Sequence, residues 1–231
     1  MELSIDTSSA IASLALSRDE TILAELTWRC GQNHSVELIP SIHKLMEMVK
    51  VERSSLTGII IAKGPGSFNG LRVGMATAKG LAYALNIPLV GISTLEVEAF
   101  PHLTAGPPVC SIHNAGRGEI AVALFQQQGG QRVRLREENI TTLSDLVEKI
   151  TGSTIFCGDI TIEQTQILKN RLGLKALLVT KASALRRAGF LAELGWTRLK
   201  KGDWDDPATL QPLYLRHPPI TTPKSKSGVT V

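Results

Sequence analysis

Aromatic side chains make up only 4% of this 231-residue chain, too few for the stacking platforms that hold single-stranded nucleic acid. Cysteine is sparse as well: Cys30, Cys110 and Cys157 are odd in number, far apart and without any C-x-x-C spacing. That argues against a disulfide framework or a zinc site and leaves them as small core residues of a reducing compartment. No apolar run approaches the roughly 20 residues that cross a bilayer. The opening MELSIDTSSA has no basic flank followed by an apolar stretch, so no signal peptide is expected. The expectation is a cytoplasmic chain with no membrane association. Charge of neither sign dominates: the formal net charge is +4, a mild excess that tolerates a polyanionic neighbour without demanding one.

What the chain does have is ordinary globular composition, 43% apolar and 20% charged, and length enough for one large domain or two small α/β lobes. Residues 2–28 read as an antiparallel meander of three short strands, with Asp6-Thr7 at its first bend. In HSVELIPSIHKLMEMVK, Leu38, Ile39, Ile42, Leu45, Met46 and Val49 recur at three- and four-residue spacing, one face of an amphipathic helix. Pro40 must then lie in the first turn or kink the helix. Ile59–Ala62 is a buried strand, a helix follows from about Gly70 to Leu85, and residues 88–92 are another strand. Strand–helix–strand order implies a parallel crossover. The boundary falls at PHLTAGPP, residues 101–108. Beyond it come a hairpin around Asn114–Gly118, a further strand, a helix near 143–150, a strand at Thr154–Cys157 and helices near 161–172 and 181–195. The second half thus repeats the order of the first in shortened form. The division is an N-terminal lobe 1–103, a smaller C-terminal lobe 104–215 and an extended or disordered tail 216–231.

The stretch KGPGSFNGLRVGMATAKGLA, residues 63–82, invites a phosphate-loop reading, but the spacings fail. Gly64 and Gly70 do not make a Walker loop, the third glycine of G-x-G-x-x-G is replaced by Asn69, and G-x-S-x-G is absent. Read as a helix, Gly70, Gly74, Ala78 and Ala82 fall at steps of four and line one face without bulk. Glycine in a helix costs about 1 kcal/mol relative to alanine, so the face implies close approach of another backbone. Packing on the chain's own sheet and pairing with another chain both satisfy that. With the apolar stripe Leu38, Ile42, Leu45 and Met46, the smooth face and Arg72 form the candidate partner interface.

Several of these residues together resemble the TsaB (YeaZ) family: Ile5-Asp6-Thr7-Ser8, His34-Ser35 leading to Leu38-Ile39-Pro40, GPGSFNGLRVG with AKGLA, and PLVGISTLE from Pro88, with weaker matches at Asn114–Glu119 and Pro212–Arg216. The resemblance implies a two-lobed α/β fold of the actin/Hsp70/sugar-kinase (ASKHA) type with a reduced second lobe. It also implies a non-catalytic subunit that dimerises with a TsaD-type threonylcarbamoyltransferase through first-lobe helices. A TsaE-type ATPase would join them, tRNA would be met through the complex, and the chain alone would form a homodimer. The reaction served is threonylcarbamoylation of the adenosine next to the anticodon.

Departures from the family pattern matter. Catalytic relatives hold a metal with two histidines four residues apart on a helix, whereas His34, His43, His102, His113 and His217 contain no such pair and H-E-x-x-H is absent. No metal site, no catalytic residue and no metallopeptidase activity are expected. Asp6, Thr7, Ser8 and Asn114 are the residual nucleotide-site candidates. Asn114 stands where the resemblance expects a second carboxylate, and an amide cannot serve as base. No cofactor is required on this reading, weak ATP or ADP binding stays open, and an autonomous ATP-binding phosphotransferase is the alternative. Lys63, Lys79 and the basic tail are candidates to lie near tRNA.

Overall fold

The alternating Leu3 and Ile5 and the unbroken Ile59–Ile61 run become neighbouring strands of one sheet. The structure is a computed structural model and describes residues 1–215. β1 (Glu2–Asp6), β2 (Ile11–Arg18) and β3 (Thr21–Arg29) form the expected meander, pairing Leu3 with Leu16 and Ile5 with Leu14. β4 (Gly58–Ala62) and β5 (Leu89–Ile92) join in parallel, giving the order β3-β2-β1-β4-β5. β1 and β4 are buried along their whole length, as central strands covered on both faces must be.

The connections are α1 (His34–Val49) between β3 and β4, and α2 (Phe68–Leu85) between β4 and β5. Pro40 lies inside α1, beyond the first turn, with its ring on the exposed side. Ser67 caps α2 by accepting from the Gly70 amide, and Asn86 ends it in the left-handed conformation, the turn that glycine or asparagine makes at lowest cost.

After α3 (Thr94–Ala99) and a 3-10 turn over Phe100–Ala105, a second sheet repeats the first. β6 (Val109–Gly116), β7 (Glu119–Gln128) and β8 (Gln131–Thr142) form its meander, and β9 (Thr154–Gly158) and β10 (Ala176–Leu178) its parallel side, in the order β10-β9-β6-β7-β8. α4 (Leu143–Glu148) and α5 (Ile162–Leu172) occupy the places of α1 and α2. The sheets match strand for strand, so the second lobe is reduced in its helices: 6 and 11 residues against 16 and 18.

The last helix of each half crosses over. α3 sends Leu95 and Ala99 into a cluster with Val109, Phe125 and Ile155 of the second half. α6 (Ala188–Leu199) returns Leu191 and Leu194 to Ile60, Val90 and Ile92 of the first sheet. The expected lobes 1–103 and 104–215 are corrected accordingly, because residues 188–199 complete the first lobe's core and the Leu213 amide donates to the Lys63 carbonyl. The helix expected over 181–195 begins only at Ala188. The tail expectation, 216–231, lies outside the described residues. Cys30, Cys110 and Cys157 are free and buried, and burial pushes the Cys110 thiol up to about 12. Among the described residues no helix is long and apolar enough to cross a membrane.

The candidate interface needs a larger correction. Leu38, Ile42, Leu45 and Met46 of α1 and Ala78 and Ala82 of α2 are buried in one cluster with Leu3, Ile5, Leu14 and Ile59. Each large side chain there contributes roughly 1.5–3 kcal/mol to the chain's own fold, so these are core and not a surface kept free for a partner. Gly70 and Gly74 are turned the same way. A Cβ on Gly70 would lie 2.1 Å from the Thr7 carbonyl oxygen, and one on Gly74 2.2 Å from Thr7 Oγ1. The backbone that the smooth face meets is intramolecular. Of the nine interface candidates, Arg72 alone is exposed, its guanidinium 3.9 Å from the Phe68 ring centroid.

Gly70→Ala separates propensity from packing. Helix propensity alone would stabilise by about 1 kcal/mol. The clash with the Thr7 carbonyl reverses the sign, and urea unfolding should show a net loss of about 1–3 kcal/mol.

Candidate functional site

Asp6 closes β1 at the point where the chain turns toward β2, and it is 1% exposed. Its Oδ1 accepts from the Ser8 amide at 2.9 Å and from Ser8 Oγ at 2.6 Å. Thr7 Oγ1 donates to the Gly70 carbonyl at 2.8 Å, which ties the turn to the first turn of α2. Asp6, Thr7 and Ser8 therefore sit together as expected, in a rigid bend held from within.

What faces the bend is Arg186, from the irregular segment before α6. Its Nε donates to Asp6 Oδ2 at 2.5 Å, Nη2 to Ser8 Oγ at 2.8 Å, and Nη1 to Glu98 of α3. Glu98 Oε2 in turn accepts from Ser111 Oγ of β6 at 2.6 Å. All three charged side chains are almost fully buried. Burial disfavours the guanidinium charge, but the carboxylates of Asp6 and Glu98 outweigh it and raise the pKa above the ordinary arginine value. A metal-bound phosphate does not fit this arrangement. Both Asp6 oxygens already have partners, and the charge that would balance the carboxylate is supplied by the chain itself.

Asn114 is hydrogen-bonded within its own hairpin: it is exposed between β6 and β7, and its Oδ1 accepts from the Gly116 amide at 2.9 Å. The cleft between the lobes, about 330 Å³, is instead lined by Ser9–Ile11, Arg29, Gly158–Ile160 and Lys181, with Arg186 and Glu98 among its walls. Nearby, His113 is 7% exposed. Burial lowers its pKa from 6.5, with Glu98, Arg186, Asp159 and Asp6 adding smaller opposed effects. No His/Cys/Asp/Glu group among the described residues has the geometry of a metal site. Sequence reasoning missed Arg186 because its partners lie 180 and 88 positions away, and nothing local marks it out from its neighbour Arg187.

The outward sides of α1 and α2 carry a different set of residues. On α1, Val36 is 71%, Ile39 55% and Met48 62% exposed; on α2, Tyr83 is 86% exposed. Ala76, Gly80 and Ala84 are exposed at steps of four, so α2 is smooth on its outer side as well. The two helices pack side by side on one face of the sheet, so these apolar side chains belong to one helical layer. Sequence periodicity hid this face, because attention goes to the strongest apolar stripe and that stripe is the core.

Residues 28–188 match the model of the family described as TsaD, tRNA N6-adenosine threonylcarbamoyltransferase. The chain is 33% identical over 217 residues to the tRNA threonylcarbamoyladenosine biosynthesis protein TsaB of Bacillus subtilis, covering 93% of each. Among solved structures, YeaZ from Pseudomonas aeruginosa superposes with a TM-score of 0.76 at 22% identity, over 93% of this chain and 99% of that one. Component A of (R)-2-hydroxyglutaryl-CoA dehydratase from Acidaminococcus fermentans reaches a TM-score of 0.51 at 12% identity, over 86% and 98%. The duplicated sheets with exchanged helices are thus the ASKHA-type fold.

Two outcomes are expected at the cleft. Arg186→Gln strands two buried carboxylates and should cost about 3–5 kcal/mol in urea unfolding. His113 should make stability fall with acid. Its folded pKa lies below the unfolded value of 6.5, so the unfolded state binds more protons and stability declines as pH drops below that value. His113→Gln should flatten this part of the unfolding-versus-pH curve.

Proposed function

The chain belongs to the TsaB (YeaZ) family, and we propose that it acts there as a non-catalytic subunit, pairing with a TsaD-type transferase in threonylcarbamoyl modification of tRNA. The observation that carries this reading is the outward apolar layer of α1 and α2. Val36, Ile39, Met48 and Tyr83 are large, exposed and borne by adjacent helices. Ala76, Gly80 and Ala84 let a second helix pair approach closely. Large exposed apolar side chains on neighbouring helices, such as Val36, Ile39 and Tyr83, are the kind of surface that marks a protein–protein interface, and two adjacent helices offer half of a four-helix arrangement. The same layer would support a homodimer when the chain is alone, and a TsaE-type ATPase would join the heteromeric pair.

The rival reading, an autonomous ATP-dependent phosphotransferase, needs Asp6 available to a metal–phosphate group. Arg186 competes directly with that use, and Asn114 supplies no second carboxylate. We therefore propose that the chain requires no nucleotide of its own.

The test is co-elution with a TsaD-type subunit from the same genome, together with transfer to unmodified tRNA with and without this chain. Ile39→Glu combined with Tyr83→Glu should abolish co-elution and stimulation. Both positions are exposed, so each change should alter monomer stability by less than about 0.5 kcal/mol. Normal co-elution of that variant would reject the interface. ATP turnover by the chain alone would reject the non-catalytic assignment.

A further inference from the structure

A second cleft, also about 330 Å³, opens where β4 and β5 end. Lys63 follows β4 and Ser93 follows β5, and the strand ends are stitched by the Lys63 amide to the Ile92 carbonyl at 2.8 Å and the Thr94 amide to the Gly64 carbonyl at 2.8 Å. The far wall is α6 and the chain after it, with Arg198, Lys201 and Asp203. The roof comes from β8, with Arg132 and Arg134. Crevices outside the carboxyl ends of parallel strands are where α/β sheets take ligands.

The charge balance of this cleft is uneven. Its five cations face three carboxylates, Glu96, Glu138 and Asp203. Glu96 accepts from Arg132 at 2.9 Å and from Arg134 at 3.2 Å, and Glu138 lies 3.7 Å from Arg134. Arg198 is held by Asp203 at 2.8 Å and by Asp205 at 3.1 Å. Most of this carboxylate charge is taken up by the three arginines, while Glu138 Oε1 accepts no hydrogen bond and Lys201 adds a smaller attraction at Asp203. Lys63 and Lys201 have no ion pair or side-chain hydrogen bond among the described residues. The Lys63 backbone is fixed on both sides, its carbonyl accepting from the Leu213 amide at 2.7 Å. Its side chain runs over Gly91, where an added Cβ would come within 3.1 Å of the lysine Cδ. Ser93 is 3% exposed, and its Oγ has no hydrogen-bond partner.

We propose that this cleft binds a phosphate group, with Lys63 and Lys201 as the charged contacts, Arg198 at its edge and the Ser93 hydroxyl as the neutral donor. Two unpaired ammonium groups and an unsatisfied hydroxyl on a fixed backbone suit a tetrahedral oxyanion, since bonds between charged donors and phosphate oxygens are the strong ones. The volume admits a single phosphorylated unit, either a nucleotide in solution or one backbone phosphate of an RNA. The inference does not rest on the partner role, because it concerns this chain alone.

The experiment titrates the full chain with three probes: inorganic phosphate and AMP by calorimetry, and an unmodified tRNA transcript by fluorescence anisotropy at fixed salt. Lys63→Gln with Lys201→Gln should weaken binding of at least one probe by about tenfold or more, as expected for the loss of two charge-assisted contacts. Lys149→Gln with Lys169→Gln, the same charge change at exposed positions elsewhere, should leave it within about twofold. Lys201→Gln alone, at an exposed position, guards against misfolding and should weaken binding about threefold. Loss for tRNA only identifies a backbone phosphodiester; loss for phosphate or AMP identifies a free phosphorylated molecule. Absence of binding by every probe, or equal weakening by the two double variants, overturns the proposal.

Discussion

Arg186 reaches from the segment before α6 into the bend after β1 and there meets Asp6, Ser8 and Glu98. Three parts of the chain end at this one guanidinium: the first strand, the helix that crosses to the second lobe, and the segment that crosses back. Removing a charged group from water is expensive, and a buried ion pair is not a strong source of stability in itself. Its force is conditional. Once Asp6 and Glu98 are buried, the cation between them becomes indispensable, so the crossing segments are bound to one relative placement. The cleft between the lobes inherits its character from this, because its floor is an internal ion pair.

The same bend sets the face that α2 turns inward. The Thr7 carbonyl and hydroxyl lie so close to Gly70 and Gly74 that no side chain fits there, and Thr7 Oγ1 donates to the Gly70 carbonyl. Once α2 is seated on the bend, Ala78 and Ala82 follow it into the core, and Ala76, Gly80 and Tyr83 are left outside. α1 packs beside it by the same logic, burying Leu38, Ile42, Leu45 and Met46 and leaving Val36, Ile39 and Met48 in solvent. The outward layer on which the proposed partner role rests is therefore a consequence of an intramolecular contact.

Local pattern carries information only about neighbours within a few residues. That sufficed for the meander, the Ile59–Ala62 strand, both first-lobe helices and the repetition of the order in the second half, since each depends on periodicity and turn chemistry. It sufficed for recognising that Gly70 and Gly74 require close backbone approach, and for the family. The amino-acid sequence by itself determined, then, the fold class and the presence of an apolar stripe on one first-lobe helix and a smooth stripe on the other. Tertiary structure alone decided which side of each helix is core, which lobe the last helix completes, and what sits on Asp6. Those outcomes depend on contacts between residues as far apart as Asp6 and Arg186 or Ser13 and Ala188. A helical stripe records that one face is buried but not against what, and a pair of arginines does not record which of them will be drawn between two buried carboxylates.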